Sequence, residues 1–242
     1  MAISEAHLAA RYNRPGFEIV NHLTYGLVSD GDLMEGVSSE AASLAGQLEL
    51  GKLIYLFDDN HVTLSAGTNI ASHEDHAKRF QAYGWHTHTM GAGHDGDERD
   101  RAPGAPARHK SRAAPSPTAP ALGFGSPKQD SFEAHGSPLG VEDVKLTKLN
   151  LGWPVEPLFD VPPEVLAHFR EALARGQHLE SEWRDRLSRY AAEHPDLARE
   201  LEAMMRGELP AGWDADIPVF PADPKGMKTR VAAGKVMAAI AP

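Results

Sequence analysis

Cysteine is absent from the 242 residues. That absence excludes a disulfide scaffold, a thiolate zinc site and a cysteine nucleophile. No apolar run approaches the ~18 residues that a membrane-spanning helix needs. The opening stretch "MAISEAHLAARY" has neither a basic segment nor a long apolar core, so it does not read as a secretory signal. Positive charge is also short. Lys plus Arg is 24 against 34 Asp plus Glu, a net charge of −10. That sign argues against nucleic acid as the main partner and against an anionic membrane surface. A small phosphorylated ligand remains open, because backbone dipoles and a bound metal can hold one. With these classes removed, a cytoplasmic protein of ordinary globular composition is the expectation.

One stretch lacks nearly every core-forming residue. Residues 91–122 hold 8 Ala, 5 Pro, 4 Gly and 4 Arg, with Leu122 as the single large aliphatic side chain. Neither a strand nor an amphipathic helix is expected from that composition. Around it the patterning is stronger. Residues 3–12 read as an amphipathic helix through Ile3, Leu8 and Ala9, stopped by "NRPG". "LTYGLVSDG" reads as a buried strand ending at Asp30–Gly31. A helix to about Leu50 follows, with Asp32 as a cap and Glu35 at the capping-box spacing. Its apolar stripe would be Val37, Ala41, Leu44 and Leu48. "KLIYLF" is a second buried strand, broken at Asp58–Asp59–Asn60. The expected unit is a right-handed β-α-β crossover with parallel strands. "SHEDHAKRFQAYGW" predicts another helix and "GWHTHTM" a short strand. Between Pro162 and Gly207 three helical patterns follow, then a Pro-rich linker and a last helix in "MKTRVAAGKVMAAIA".

Asp30 and Asn60 stand 30 residues apart, each at the carboxyl end of a predicted strand. In a parallel sheet, ligands bind in the crevice outside those ends. Gly31 lets the backbone approach an anion at the start of a helix. A carboxylate, an amide oxygen and a diphosphate together suit Mg²⁺. The residues alone leave a second reading open, in which Asp30–Gly31 is a turn and Asn60 a loop cap.

The blocks "SDGDLMEGVSSEAASLAGQLELGKLI" and "DDNHVT" resemble the thiamine-diphosphate motif of transketolases. "RYNRPGFEIVNHLTY", "HEDHAKRFQAYGW", "GFGSPKQDSFEAHGSPLG", "LTKLNLGWP" and "KGMKTRVAAGKVMAAIAP" are similar to the same family, in the family's order. The resemblance covers nearly the whole chain outside 91–122. It implies an α/β fold: an incomplete parallel-sheet thiamine-diphosphate-binding domain over 1–154. A helical extension over 155–215 and the first helix of a truncated pyrimidine-binding domain over 216–242 would follow. It implies Mg²⁺ (or Ca²⁺) held by Asp30, Asn60 and the Val62 carbonyl. The diphosphate would take the Gly31 N–H, Leu64 would line the cofactor pocket, and His135 would sit by the diphosphate and the reaction centre. Ketose donors and aldose acceptors bearing phosphate would be the substrates, transferring a two-carbon ketol unit in a homodimer. Glu35 and Glu40 would lie in the helix at the dimer interface. For Glu35 the capping role stands beside this, and for Glu40 a solvated helix face.

Ser29 replaces the first glycine of the family's GDG, a mild change. Ser65–Ala66 stand where Asp–Gly is frequent, which is expected to loosen the loop. The upstream histidines, the "GPLGQG"-like loop and the glutamate of the pyrimidine-binding domain have no counterpart, so the chain reads as a middle piece. Residues 91–122 have the family's length but the composition of GC-rich coding read out of frame, which points to a compensated frameshift, with a genuine flexible insertion as the alternative. "GQLELGKL" is not a phosphate-binding loop, because Leu53 replaces Ser or Thr and the motif closes a helix. His86 and His88, two apart, read as surface histidines rather than zinc ligands.

Overall fold

The computed structural model describes residues 1–88, 115–118, 121–222 and 224–240, with 115–118 described as backbone. Two compact units divide the chain: residues 1–11 with 20–175, and residues 12–19 with 176–242. No helix among the described residues is long and apolar enough to cross a membrane.

The first unit begins with α1 (Ala2–Tyr12) and β1 (Thr24–Ser29). Then come α2 (Asp30–Met34), α3 (Gly36–Gln47) and β2 (Leu53–Asp58). The expected parallel β-α-β unit is present: Thr24 registers with Leu53 and Ser29 with Asp58. Both strands therefore end side by side, which brings the segments after Ser29 and after Asp58 to one edge of the sheet.

The connection differs from the expected single helix. The chain is extended at Glu35, with ψ 133°, so α2 and α3 are separate. Ser29 caps α2. Asp32 Oδ2 accepts from the Ser29 N–H at 2.8 Å and from its hydroxyl at 2.9 Å. Asp32 thus closes the box from the third helical position. Glu35 sits at the joint and caps nothing with its side chain.

The stripe of α3 that enters the core is also a different one. Ala42, Ala45 and Gly46 are buried, while Val37, Leu44 and Leu48 stay exposed. Close approach decides this. A Cβ on Gly46 would stand 2.2 Å from the Tyr83 carbonyl oxygen, so only the small-residue face fits there.

After β2 come α4 (Thr68–Ala71) and α5 (His76–Ala82), the latter capped by Asp75, which accepts from the Lys78 N–H at 3.0 Å. Residues 85–88 are not a strand, contrary to expectation; His86 and His88 are exposed. Trp85 turns inward, donating to the Ala42 carbonyl at 2.9 Å and packing edge-on against Phe80, ring centres 5.1 Å apart. Leu33, Leu53, Phe57, Phe80 and Trp85 form the core with Ala42 and Ala45. Arg79 ties α5 to the crossover, donating to Ser39 Oγ at 2.8 Å and to the Leu33 carbonyl at 2.9 Å.

A third strand, β3 (Pro115–Thr118), pairs parallel with β2, Tyr55 opposite Pro115 and Asp58 opposite Thr118. This corrects the expectation that 91–122 holds no strand. Successive N–H groups of a strand point to opposite sides. Pro115 and Pro117, two apart, therefore lose their donors on one side only, and a ladder on the other side survives. Residues 91–114 and 119–120 of that segment, and with them the out-of-frame reading, lie outside the described residues.

Beyond it are α6 (Glu133–Gly136), α7 (Val141–Asn150), which the sequence reading did not single out, and α8 (Pro163–Glu193). With α9 (Pro195–Met205), two helices take the place of the three expected patterns. The final helix is α10 (Thr229–Ile240).

The second unit packs around Tyr190, fully buried, whose hydroxyl donates to the Tyr12 carbonyl at 2.7 Å. A buried phenol needs such an acceptor. Tyr12 donates to Glu200 at 2.8 Å, Trp183 to the Ile19 carbonyl at 2.9 Å, and Phe17 meets Tyr190 edge-on.

Candidate functional site

β1 delivers Asp30 as the first residue of α2, and Asp30 is only 3% exposed. β2 delivers the loop from Asp59 to Val62. The His61 N–H donates to Asp30 Oδ2 at 3.1 Å, which joins the two strand ends directly. Among the described residues Asp30 has no other hydrogen-bond donor. Burial pushes the Asp30 carboxyl above its ordinary value; the His61 N–H opposes this, and the nearby Asp59 charge adds to it. Next door, Asp58 Oδ1 is buried without a partner among the described residues. Negative charge is thus concentrated here with little protein compensation, and such a site fits a cation.

Asn60 holds the loop. Its Oδ1 accepts from the Val62 N–H at 3.0 Å and its Nδ2 donates to Asp58 at 3.0 Å. That is the loop-cap geometry, and an amide oxygen with two lone pairs keeps acceptor capacity beyond it. Val62 is buried and bridges to Gly67. The turn through Ser65–Ala66 is closed by hydrogen bonds. The Ala66 carbonyl accepts from both the Thr63 N–H and the Thr63 hydroxyl at 2.7 Å, and Thr68 closes onto the His61 carbonyl at 3.0 Å.

Gly31 lies exposed in the first turn of α2, where N–H groups have no intrahelical acceptor. Leu64 is 70% exposed. Its Cδ1 lies 3.4 Å from where a Cβ on Gly136 would stand, so the structure places Leu64 beside the α6 turn that carries His135. His135 itself is exposed.

A cleft of ≈ 510 Å³ opens at this edge, lined by Asp30, Phe57, Asp59, His61 and the α4–α5 segment. Asp30, Asp59 and His61 bring three ligand atoms within 4.8 Å of one another. Asp59 and His61 are the residues that sequence reasoning missed. The turn that aims them depends on His61 at φ 59°, a left-handed conformation uncommon outside glycine.

The raised Asp30 value has a stability consequence. Between the ordinary value of 3.8 and the raised one, the folded state holds more protons than the unfolded state. The stabilising contribution is fully present below 3.8 and is lost as pH rises through the folded value. Asp30→Asn keeps the oxygen that accepts from His61 and removes the charge. Without divalent cations, Asp30→Asn is expected to melt above the wild type near pH 7, with the difference shrinking to nothing below about pH 3.8. Thermal melts followed by circular dichroism across this range are the measurement; a pH-independent difference contradicts the assignment.

Comparison with known proteins agrees with this architecture. Residues 1–210 match the family described as "Transketolase, thiamine diphosphate binding domain". A transketolase from Geobacillus stearothermophilus is 44% identical over 243 residues, covering 100% of this chain and 36% of the relative. Transketolase from Leishmania mexicana superposes with a TM-score of 0.89 at 36% identity, over 99% of this chain and 35% of that one. A Pichia stipitis transketolase solved with sedoheptulose 7-phosphate gives a TM-score of 0.86 at 36% identity, over 99% of this chain and 36% of that one. The chain spans about a third of the length of these relatives. On the match over residues 1–210, the chain belongs to the transketolase thiamine-diphosphate-binding-domain family.

Proposed function

We propose that the chain is the thiamine-diphosphate-binding part of a cytoplasmic, homodimeric transketolase. Such an enzyme moves a two-carbon ketol unit between phosphorylated sugars. The observation that carries the reading is Asp30: a buried, undercompensated carboxylate at the end of β1, linked to the loop after β2. In this reading Asp30, the Asn60 amide oxygen and the Val62 carbonyl hold Mg²⁺. The Gly31 N–H receives a diphosphate oxygen at the start of α2. Leu64 covers the cofactor's apolar side. His135, beside Leu64, holds or moves a proton near the diphosphate, as a histidine can near neutral pH. Thiamine diphosphate, when bound, supplies the electron sink that ketol transfer requires. The relative solved with sedoheptulose 7-phosphate supports sugar phosphates as substrates. The exposed Val37, Leu44 and Leu48 stripe beside Glu40 supports a second subunit on α3. Domains over 1–154, 155–215 and 216–242 belong to the same proposal.

The test is calorimetric titration with thiamine diphosphate, with Mg²⁺ and after EDTA. Saturable binding that EDTA abolishes is expected. Binding that ignores Mg²⁺, or no binding, overturns the reading.

A second reading is favoured for the 242-residue polypeptide on its own. Leu64 and His135 are exposed, which favours a non-catalytic fragment, or a pseudogene product, with at most weak cofactor binding.

A further inference from the structure

We propose that β1 is an unprotected sheet edge through which two copies of this chain pair, each supplying the strand that the other lacks. The inference goes beyond the subunit contact proposed on α3 and uses a different surface.

The sheet runs β1–β2–β3, so β1 and β3 are its two edges among the described residues. The two edges differ. Along β3, Pro115 and Pro117 have no N–H, and the surviving ladder to β2 puts the missing donors on the outer side. Proline on an outer edge blocks the addition of a further strand. β1 reads Thr-Tyr-Gly-Leu-Val-Ser, with neither proline nor charge. Alternation identifies its open side. The Thr24 N–H donates to the Lys52 carbonyl at 2.8 Å, toward β2, so Gly26 and Val28 face β2 as well. Tyr25, Leu27 and Ser29 then face outward. Asp32 takes the Ser29 N–H at 2.8 Å. The backbone groups of Tyr25 and Leu27 have no strand beside them among the described residues. Their side chains are 62% and 80% exposed.

A free ladder and an apolar surface thus coincide on the same two residues. One kind of partner satisfies both: an extended, uncharged strand. β1 of a second copy is such a strand, and a two-fold axis at Gly26 sets the register. Tyr25 then stands opposite Leu27 of the second copy, and the two residues exchange both backbone hydrogen bonds. The symmetry repeats this pair, so the bare face gains two aromatic–aliphatic cross-strand contacts. A slip of one residue would set Tyr25 against Val28, which packs on the core side. A slip of two would set Tyr25 against Ser29, whose N–H is already held by Asp32. Because β3 is blunted, the pairing closes at two copies instead of growing along the sheet.

The test is sedimentation of the 242-residue protein over a range of concentrations. A reversible monomer–dimer equilibrium is expected. Leu27→Lys changes a side chain that is already exposed and sets charge at the centre of the pairing, so it should weaken the dimer by ~10-fold or more. Leu44→Lys reports the α3 contact separately. The natural chain has no cysteine, so the register can be read by cross-linking. Tyr25→Cys and Leu27→Cys, mixed under mild oxidation, should form a disulfide with each other, since a hydrogen-bonded pair has Cα atoms ~5.5 Å apart. Either variant alone should cross-link far less, because like positions lie on the diagonal at ~7–8 Å. A monomer at every concentration overturns the inference and leaves the edge to a different protein. Association that Leu27→Lys does not weaken overturns it too; if Leu44→Lys weakens that association, the copies meet on α3 and the proposed function stands. Equal cross-linking in the mixture and in the single variants, or large assemblies without a dimer, also overturns the pairing. Circular dichroism checks that each variant is folded.

Discussion

Replacing Asp30 by alanine is expected to lower thiamine diphosphate affinity in Mg²⁺ by ~100-fold or more. The expectation follows from the position rather than from the residue type. Acidic side chains are abundant here, but Asp30 is the one that is almost fully buried at a parallel-strand carboxyl end. Mg²⁺ takes few protein ligands and depends on each carboxylate, so losing the buried one removes most of the protein's hold. Asn60→Ala is expected to cost less, ~10-fold, because a neutral amide contributes less to a dication. Part of that smaller cost is indirect, since Asn60 Oδ1 also fixes the turn through the Val62 N–H. Asp30→Asn separates charge from shape: it keeps the His61 contact and should still fail to bind. Calorimetry with Mg²⁺ saturating is the measurement. Unchanged affinity in Asp30→Ala would refute the assignment, and an Asn60→Ala defect exceeding that of Asp30→Ala would move the main ligand to the loop.

The stability side runs in the opposite direction. Burial raises the Asp30 carboxyl, so the ionised group costs folding free energy at neutral pH in the absence of a cation. A cation offsets that cost by favouring the ionised form. The same residue is therefore expected to weaken the empty fold and strengthen the loaded one, a pattern found where function retains an unfavourable group.

How much of this was legible in the sequence depends on which force set each feature. The β-α-β unit was legible, because two apolar runs and a small-residue crossover permit few parallel arrangements. The buried face of α3 was not. Periodicity picks out Val37, Leu44 and Leu48 as the core stripe, yet close approach to the Tyr83 carbonyl selects Ala42, Ala45 and Gly46. A hydrophobic stripe tells that a face is to be covered, not which neighbour covers it. Burial on one side of β1 failed in the same way: Leu27 is 80% exposed within a run that reads as fully apolar. At the site, strand-end placement marked Asp30 and Asn60. Asp59 and His61 were not marked, because their aim depends on one left-handed residue and on contacts from another strand. β3 was missed because the composition of 91–122, with a single large aliphatic residue, offers no strand pattern, yet backbone pairing along β2 tolerates two prolines on one side of the strand.

The 242-residue polypeptide, assayed alone with xylulose 5-phosphate and ribose 5-phosphate, is expected to show no ketol transfer. Group transfer between sugars requires that water be kept from the reacting carbon, and charged groups act strongly only where solvent is excluded. Here the residues proposed around the cofactor stand open. Leu64 is 70% exposed, and His135 and Gly31 are exposed too. Further apolar side chains await cover: Tyr25 and Leu27 on β1, Val37 and Leu44 on α3, Phe169 and Leu173 on α8. A surface of that kind fits interaction with more protein, and the chain spans about a third of its relatives' length. Positioning is equally short of what the reaction needs, since bringing two substrates into register rests on several rigid contacts at once. Binding of Mg²⁺ and diphosphate should persist weakly, because Asp30 and the Asn60 turn are built within this chain. The measurement is a coupled assay on purified protein with Mg²⁺ and thiamine diphosphate, beside a preparation carrying Asp30→Ala to exclude host enzyme. Turnover in the wild type that disappears in Asp30→Ala would show that the exposed site closes by itself, and that these residues suffice for the chemistry.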